Sequence, residues 1–159
     1  MIADKYYWLR ERENPAVRTR LEAENKYTEE VMAETKPLQE LIYKECLGRI
    51  KETDSTPPVQ VDDYWYYSRT EAGKEYSIHC RRLKTLAAPE EVLLDPNILA
   101  GDKYFQLGVF SISPDHRYLA YSIDDTGDEI FNLRIKDLIA GELLLECLPN
   151  TYYTLAWAN

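Results

Sequence analysis

Glycine and histidine are scarce in this 159-residue chain, with six of the first and two of the second, and phenylalanine and cysteine number three each. Each shortage excludes something. None of the glycines flanks a serine in the spacing G-x-S-x-G, so the strained elbow that lifts a serine oxygen clear of its strand is absent. Two histidines leave few candidates for a general base or a metal ligand. Cys46, Cys80 and Cys147 are odd in number and widely spaced, with no CxxC pair and no histidine cluster to complete a zinc site. They read as reduced thiols of a cytosol-like compartment, and a cytoplasmic location is expected. No run approaches the roughly eighteen apolar residues of a membrane helix, and residues 1–13 lack an apolar signal core. A net charge of −9 argues against nucleic acid and anionic membrane as partners.

Tyrosine, in contrast, is abundant: thirteen residues beside three tryptophans. Half-buried rings with wet hydroxyls are common in layered β-structure. At this length one domain would bury about two-thirds of its unfolded surface if it were complete.

The clearest architectural signal is residues 108–129. Phe110 and Ile112 alternate with Ser111 and Ser113, and Leu119, Tyr121 and Ile123 alternate with Ala120 and Ser122. Two period-2 runs around Pro114-Asp115-His116 predict a β-hairpin, with His116 at the position where glycine is easiest.

The remaining chain extends that pattern. Tyr6 to Leu9 form an apolar patch that must dock on something. Asn14 and Pro15 supply an N-cap and first-turn proline for a helix to about Glu34, with Val17, Leu21, Tyr27 and Val31 at helical spacing. A second helix is expected from near Pro37 to about Lys51, its stripe formed by Leu38, Leu41, Ile42, Cys46 and Ile50. Residues 52–58 are turn-rich and mark the passage from a helical arm, 1–55, to β-structure, 56–159. Four strands follow, at 59–61, 64–69, 75–82 and 91–94, then a connection over 95–106. The hairpin supplies two more strands, 130–137 and 142–148 two further, and 151–158 begins something new.

Four strands, a connection and four strands again is radial repetition, the mark of a β-propeller. The fold class expected is mainly β with an N-terminal helical arm, comprising blade one at about 57–95, blade two at about 104–149 and the start of blade three at 151–159. A blade buries its faces only against neighbouring blades, so two blades expose apolar faces and edges that invite self-association. The sequence is therefore expected to be a piece of something longer.

Several stretches resemble, in order, the N-terminal portion of the prolyl oligopeptidase family of serine peptidases, closest to its oligopeptidase B (protease II) branch. They include YYWLRERENPAV, LEAENKYTEEVMA, TKPLQELIYKECLGRIKETDSTPP, YWYYSRTEAGKEYSIHCRR, YFQLGVFSISPD and LAYSIDDTGDE. The turn that this family commonly writes Pro-Asp-Gly is here Pro114-Asp115-His116. The resemblance implies a seven-bladed propeller over an α/β-hydrolase domain with a Ser-Asp-His triad, acting on short peptides and cutting after Lys or Arg. It also implies that the arm packs on the hydrolase domain of the same longer chain, and that the catalytic residues lie downstream.

No catalytic, cofactor-binding or metal-binding residue is therefore assigned within 1–159, and no cofactor is expected. His79 reads as a satisfied inter-blade histidine and His116 as turn punctuation. Asp124, Asp125, Asp128 and Glu129 lack the D-x-D-x-D-G order of a calcium loop and read as a solvated hairpin loop. Cys80 and Cys147 read as small buried hydrophobes, and Tyr64 to Tyr67 as blade core rather than a stacking platform. Two other readings are a free-standing propeller-derived protein-binding module and a complete small hydrolase; the missing elbow disfavours the last.

Overall fold

A computed structural model describes residues 4–158, so Met1 to Ala3 of the opening segment and Asn159 lie outside the described residues. The chain divides into two compact units, the first ending at Lys51 and the second beginning at Glu52.

The first unit is helical. A 3-10 turn, Tyr7–Arg10, precedes α1, Pro15–Met32; a second 3-10 turn, Ala33–Thr35, leads into α2, Lys36–Gly48. The N-terminus of α1 is built as its sequence dictates. The Asn14 side chain accepts from the Ala16 amide at 3.0 Å, and Pro15 sits where no amide is needed. α1 ends at Met32, short of the expected Glu34. The reason is local: the Thr35 hydroxyl donates to the Met32 carbonyl at 2.7 Å and accepts from Gln39 at 2.7 Å, tightening the junction into a 3-10 turn. The apolar stripes of both helices are open, Leu21 and Leu41 being 55% and 62% exposed, whereas Val17 is buried. Arg20–Glu24, Lys26–Glu30 and Glu45–Arg49 pair at four-residue spacing. Among the described residues no helix is long and apolar enough to cross a membrane.

The second unit holds two antiparallel meanders. The first contains β1 (Val59–Val61), β2 (Tyr64–Arg69), β3 (Ile78–Leu83) and β4 (Glu91–Leu94); the second contains β5 (Gln106–Ile112), β6 (Tyr118–Asp124), β7 (Phe131–Asp137) and β8 (Glu142–Thr151). Each sheet runs in simple sequential order. The unit begins earlier than the expected residue 56 because the turn-rich segment joins the first sheet. Ser55 bridges Arg69, and the Thr56 amide donates to the Ser68 carbonyl at 2.9 Å.

Three element boundaries depart from the sequence pattern for visible reasons. β3 starts at Ile78 and not at Glu75, because Asn97 holds the backbone of Tyr76 through its amide at 2.9 Å and its carbonyl at 2.8 Å and diverts it from the ladder. Asn97 belongs to α3, Pro96–Ala100, a short helix inside the expected connection, capped by Asp95 and opened by a proline. β8 runs on to Thr151, which pairs with Phe131. Residues 152–158, expected to open a third blade, pair with no strand in the described chain. A strand exists through its ladder, and its ladder partner must be another strand.

The hairpin at 108–129 forms as expected, with Phe110 opposite Tyr121 and Ile112 opposite Leu119. Its turn is held by Ser113, whose amide donates to the Tyr118 carbonyl at 2.8 Å and whose hydroxyl donates to Asp115 at 2.6 Å. The principal core lies between the two sheets. Leu93 and Leu94 of β4 pack with Leu119 and Tyr121 of β6, flanked by Tyr66, Phe110 and Ile112. Burial of this kind stabilises by about 25 cal/mol per Å² of apolar surface. Lys136 of β7 adds a polar tie, donating to the Leu93 carbonyl at 3.1 Å.

Candidate functional site

The two histidines, the acidic loop and the aromatic cluster are where chemistry was conceivable, and each makes defined contacts with neighbouring groups. His79 sits on β3 opposite Ser68, with the serine hydroxyl 3.0 Å from its Nδ1. A serine beside a histidine invites comparison with a nucleophile and its base. Here Ser68 is mid-strand rather than on an elbow, and the imidazole is stacked on Phe110 of the second sheet with ring centres 4.3 Å apart. Burial holds the His79 pKa below its ordinary value. It is the inter-blade histidine that the sequence indicated.

Tyr64 to Tyr67 are half-buried. Tyr66 belongs to the inter-sheet core, while Tyr67 donates to Glu90 at 2.5 Å and accepts from Arg82 at 3.0 Å. Burial raises the Tyr67 hydroxyl pKa, and the Glu90 carboxylate adds to the shift. Burial would raise the pKa of Glu90, but the hydrogen bonds from Tyr67 and Arg69 hold it lower.

The acidic loop is organised by one carboxylate. Asp124, fully buried, accepts from the Thr126 amide and hydroxyl at 2.8 Å each, the Gly127 amide at 3.0 Å and the Glu129 amide at 2.9 Å. Asp137 repeats the device at the next turn, accepting from Ile139 at 2.9 Å, Ala140 at 3.1 Å and Arg117 at 2.9 Å. These are strand-terminal aspartates folding the turns that follow them. No grouping of three or more metal-ligating side chains occurs among the described residues.

Burial pulls the Asp124 carboxyl upward, but the four bonds from Thr126, Gly127 and Glu129 hold it below its ordinary value; the Ala140 amide and then Arg117 do the same for Asp137. A carboxylate depressed in the folded state adds stability above its unfolded pKa and loses it as pH falls through the folded value. Denaturant midpoints are therefore expected to fall below about pH 4, where model carboxyls titrate. Asp124→Asn should flatten that fall, because asparagine does not titrate, and should lower the midpoint near neutral pH, because its amide nitrogen cannot accept from the Glu129 amide. A midpoint flat from pH 6 to 3 in the parent protein would contradict the assignment.

Of the cysteines, Cys80 is buried as expected, and burial pushes its thiol up to about 11. Cys147 is exposed, which corrects the expectation of a buried thiol. The alternation along β8 is real, but every residue from Glu142 to Asn150 is open, so period 2 selects a face without any sheet packing upon it. Cys46 is also exposed.

An open groove of about 580 Å³ lies between β1 and β5, lined by Val59, Val61, Tyr66, Phe110, Ile112 and His116 among others. Its two serines are committed elsewhere. Ser111 accepts from the Trp157 indole at 3.1 Å, and Ser113 serves the hairpin turn. At the mouth of the groove stands a constellation that sequence reasoning missed: Asp62, His116 and Tyr66, with the imidazole bonded to both of the others. Nothing in the sequence joins groups this far apart.

Two four-stranded meanders, packed face to face with their core between them, define two successive blades of a β-propeller. Residues 1–159 match in full the family model described as the prolyl oligopeptidase N-terminal beta-propeller domain, and the chain belongs to that family. It is similar to dipeptidyl aminopeptidase BI of Pseudoxanthomonas mexicana, 39% identical over 174 residues that cover 98% of this chain and 24% of that protein. It is equally similar to protease 2 of Moraxella lacunata, 39% identical over 155 residues, 94% of this chain and 22% of that protein. Oligopeptidase B of Trypanosoma brucei, solved in a closed form with covalently bound antipain, superimposes with a TM-score of 0.86 at 32% identity over 97% of this chain and 22% of that one. The chain thus spans less than a quarter of the length of each.

Proposed function

We propose that residues 1–159 are the helical arm and first two blades of a serine-type oligopeptidase that hydrolyses short peptides after Lys or Arg. In this reading the propeller limits access to an α/β-hydrolase domain of the same longer chain, in the cytoplasm, and the reacting groups belong to that domain. The observation that carries it is the full-length match to the propeller family together with the close superposition on oligopeptidase B. Ser68, Ser111 and Ser113 hydrogen-bond to His79, Trp157 and Asp115, and no G-x-S-x-G elbow occurs in the sequence, which supports placing the nucleophile in the hydrolase domain.

The similarity to a dipeptidyl aminopeptidase, at the same identity as to protease 2, favours a second reading in which dipeptides are removed from free N-termini. The two differ in a measurable way. A longer chain carrying these residues is assayed on blocked arginyl, lysyl and prolyl amides and on the matching dipeptidyl amides with free amines. Hydrolysis of the blocked basic amides is expected to exceed that of the prolyl amide by at least about a hundred-fold in kcat/KM, since a preference for Lys or Arg requires an acidic pocket in the hydrolase domain, and an acidic group left without its cation strongly disfavours the wrong side chain. Cleavage confined to free-amine dipeptidyl amides would favour the second reading, and a prolyl preference would overturn both.

A further inference from the structure

His116 occupies the left-handed turn position at φ +60, where a glycine would sit without strain. An imidazole there has a cost and needs a compensating contact. The structure supplies one on each ring nitrogen. Nδ1 lies 2.7 Å from the Tyr66 hydroxyl, 50 residues away on β2, and Nε2 lies 3.0 Å from Asp62, 54 residues away on the β1–β2 turn. A carboxylate only accepts, so Nε2 carries the proton, and in the neutral ring Nδ1 accepts the Tyr66 hydroxyl. Arg81 of β3 completes the arrangement. It is buried, bound to Glu91 through two nitrogens at 2.7 and 2.9 Å, and donates to the backbone carbonyl of His116 at 2.7 Å. Its guanidinium also lies against the Tyr64 ring, 4.3 Å from the centroid, and that ring sits 5.0 Å from the imidazole.

We infer that His116 is a latch that fastens blade two to blade one, its ring held by Tyr66 and Asp62 and its carbonyl by Arg81. The turn therefore does two jobs, reversing the β5–β6 hairpin and registering one blade on the next. The two ring contacts are unequal. The His116 side chain is 14% exposed and that of Asp62 76%, so the carboxylate contact is the more solvated and the weaker. Of the two ring contacts, the Tyr66 bond is the stronger.

The inference separates cleanly from a purely local role, because His116→Gly relieves the turn while removing the ring. If His116 only completes the turn, the glycine variant is as stable as the parent or more so, and blade one is untouched. A latch predicts the reverse. Amide hydrogen exchange of residues 64–66, on the blade that the substitution does not touch, should rise on the order of ten-fold, the scale of one lost hydrogen bond. Tyr66→Phe keeps the ring packed and should give a similar rise in the 116–118 amides, Asp62→Asn a smaller one. His116→Gly combined with Tyr66→Phe should add little to either alone, since both break the same bond. Unchanged exchange of residues 64–66 in the glycine variant, or full additivity in the double variant, would overturn the proposal. Tyr66→Phe retains the parent turn, so it tests the latch even if the glycine variant folds poorly.

Discussion

Replacing Phe131 by alanine is expected to destabilise the second unit by about 3–5 kcal/mol, the range for deleting a fully buried aromatic ring. Phe131 opens β7 and is 0% exposed. Its ring meets Tyr153 with centres 4.8 Å apart, and its carbonyl accepts from Thr151 at 3.0 Å, tying the end of β8 back to the start of β7. Loss of the ring leaves a void at the point where the second blade closes on itself. Urea titration measures the effect as a shift in midpoint with an unchanged slope. A loss below about 1 kcal/mol would place the ring outside the core, which is the range of exposed substitutions.

Gly108→Ala acts on the same space from the opposite side. A Cβ at residue 108 would lie 2.6 Å from Cδ1 and 2.8 Å from Cε1 of Phe131, and 2.6 Å from the Ser122 hydroxyl. The conflict is steric, since Gly108 is not among the residues at positive φ. Overfilling a packed site costs about 1–3 kcal/mol, and the upper end is expected because Ser122 would also lose its bond from the Val109 amide, 2.8 Å in the parent. Combining Gly108→Ala with Phe131→Ala should cost less than the sum by about 1 kcal/mol or more, because the added methyl enters the space the ring vacates. Additive effects would mean that the two residues do not share a site. The register break between Leu107 and Phe110 belongs to the same packing: the strand is irregular where the ring passes closest.

Gly108 opens the stretch that announced the architecture and Phe131 follows just after it, and the two mark how far a sequence discloses packing. The alternation around Phe110 to Ile123 located β5, β6 and the turn between them, because period 2 and turn chemistry are local properties. Likewise Asn14-Pro15 and the turn residues after Glu52 marked real transitions. The extent of β3 was not legible, since Asn97 captures the Tyr76 backbone from 21 residues away. Longer separations, 50 and 54 residues, hid the Asp62–His116–Tyr66 constellation. His116 read as a tolerated substitute for glycine, and its positive φ bore that out, but a sequence cannot say what an αL side chain touches. Cys147 shows the converse error, an alternating strand taken to imply a covered face. The absence of a G-x-S-x-G elbow is a property of the sequence itself, whereas the partners of Ser68, Ser111 and Ser113 became visible only in the fold.

Under the proposed function, this chain is part of a serine peptidase whose reacting serine lies outside residues 1–159. A fluorophosphonate probe tests it most directly, applied in parallel to the 159-residue chain and to a longer chain that continues into a hydrolase domain, with the labelled peptide identified by mass spectrometry. Stoichiometric labelling of the longer chain at a serine beyond Asn159 is expected, and none within residues 1–159 of either protein. Labelling of Ser68, Ser111, Ser113 or any other serine of this chain would contradict it.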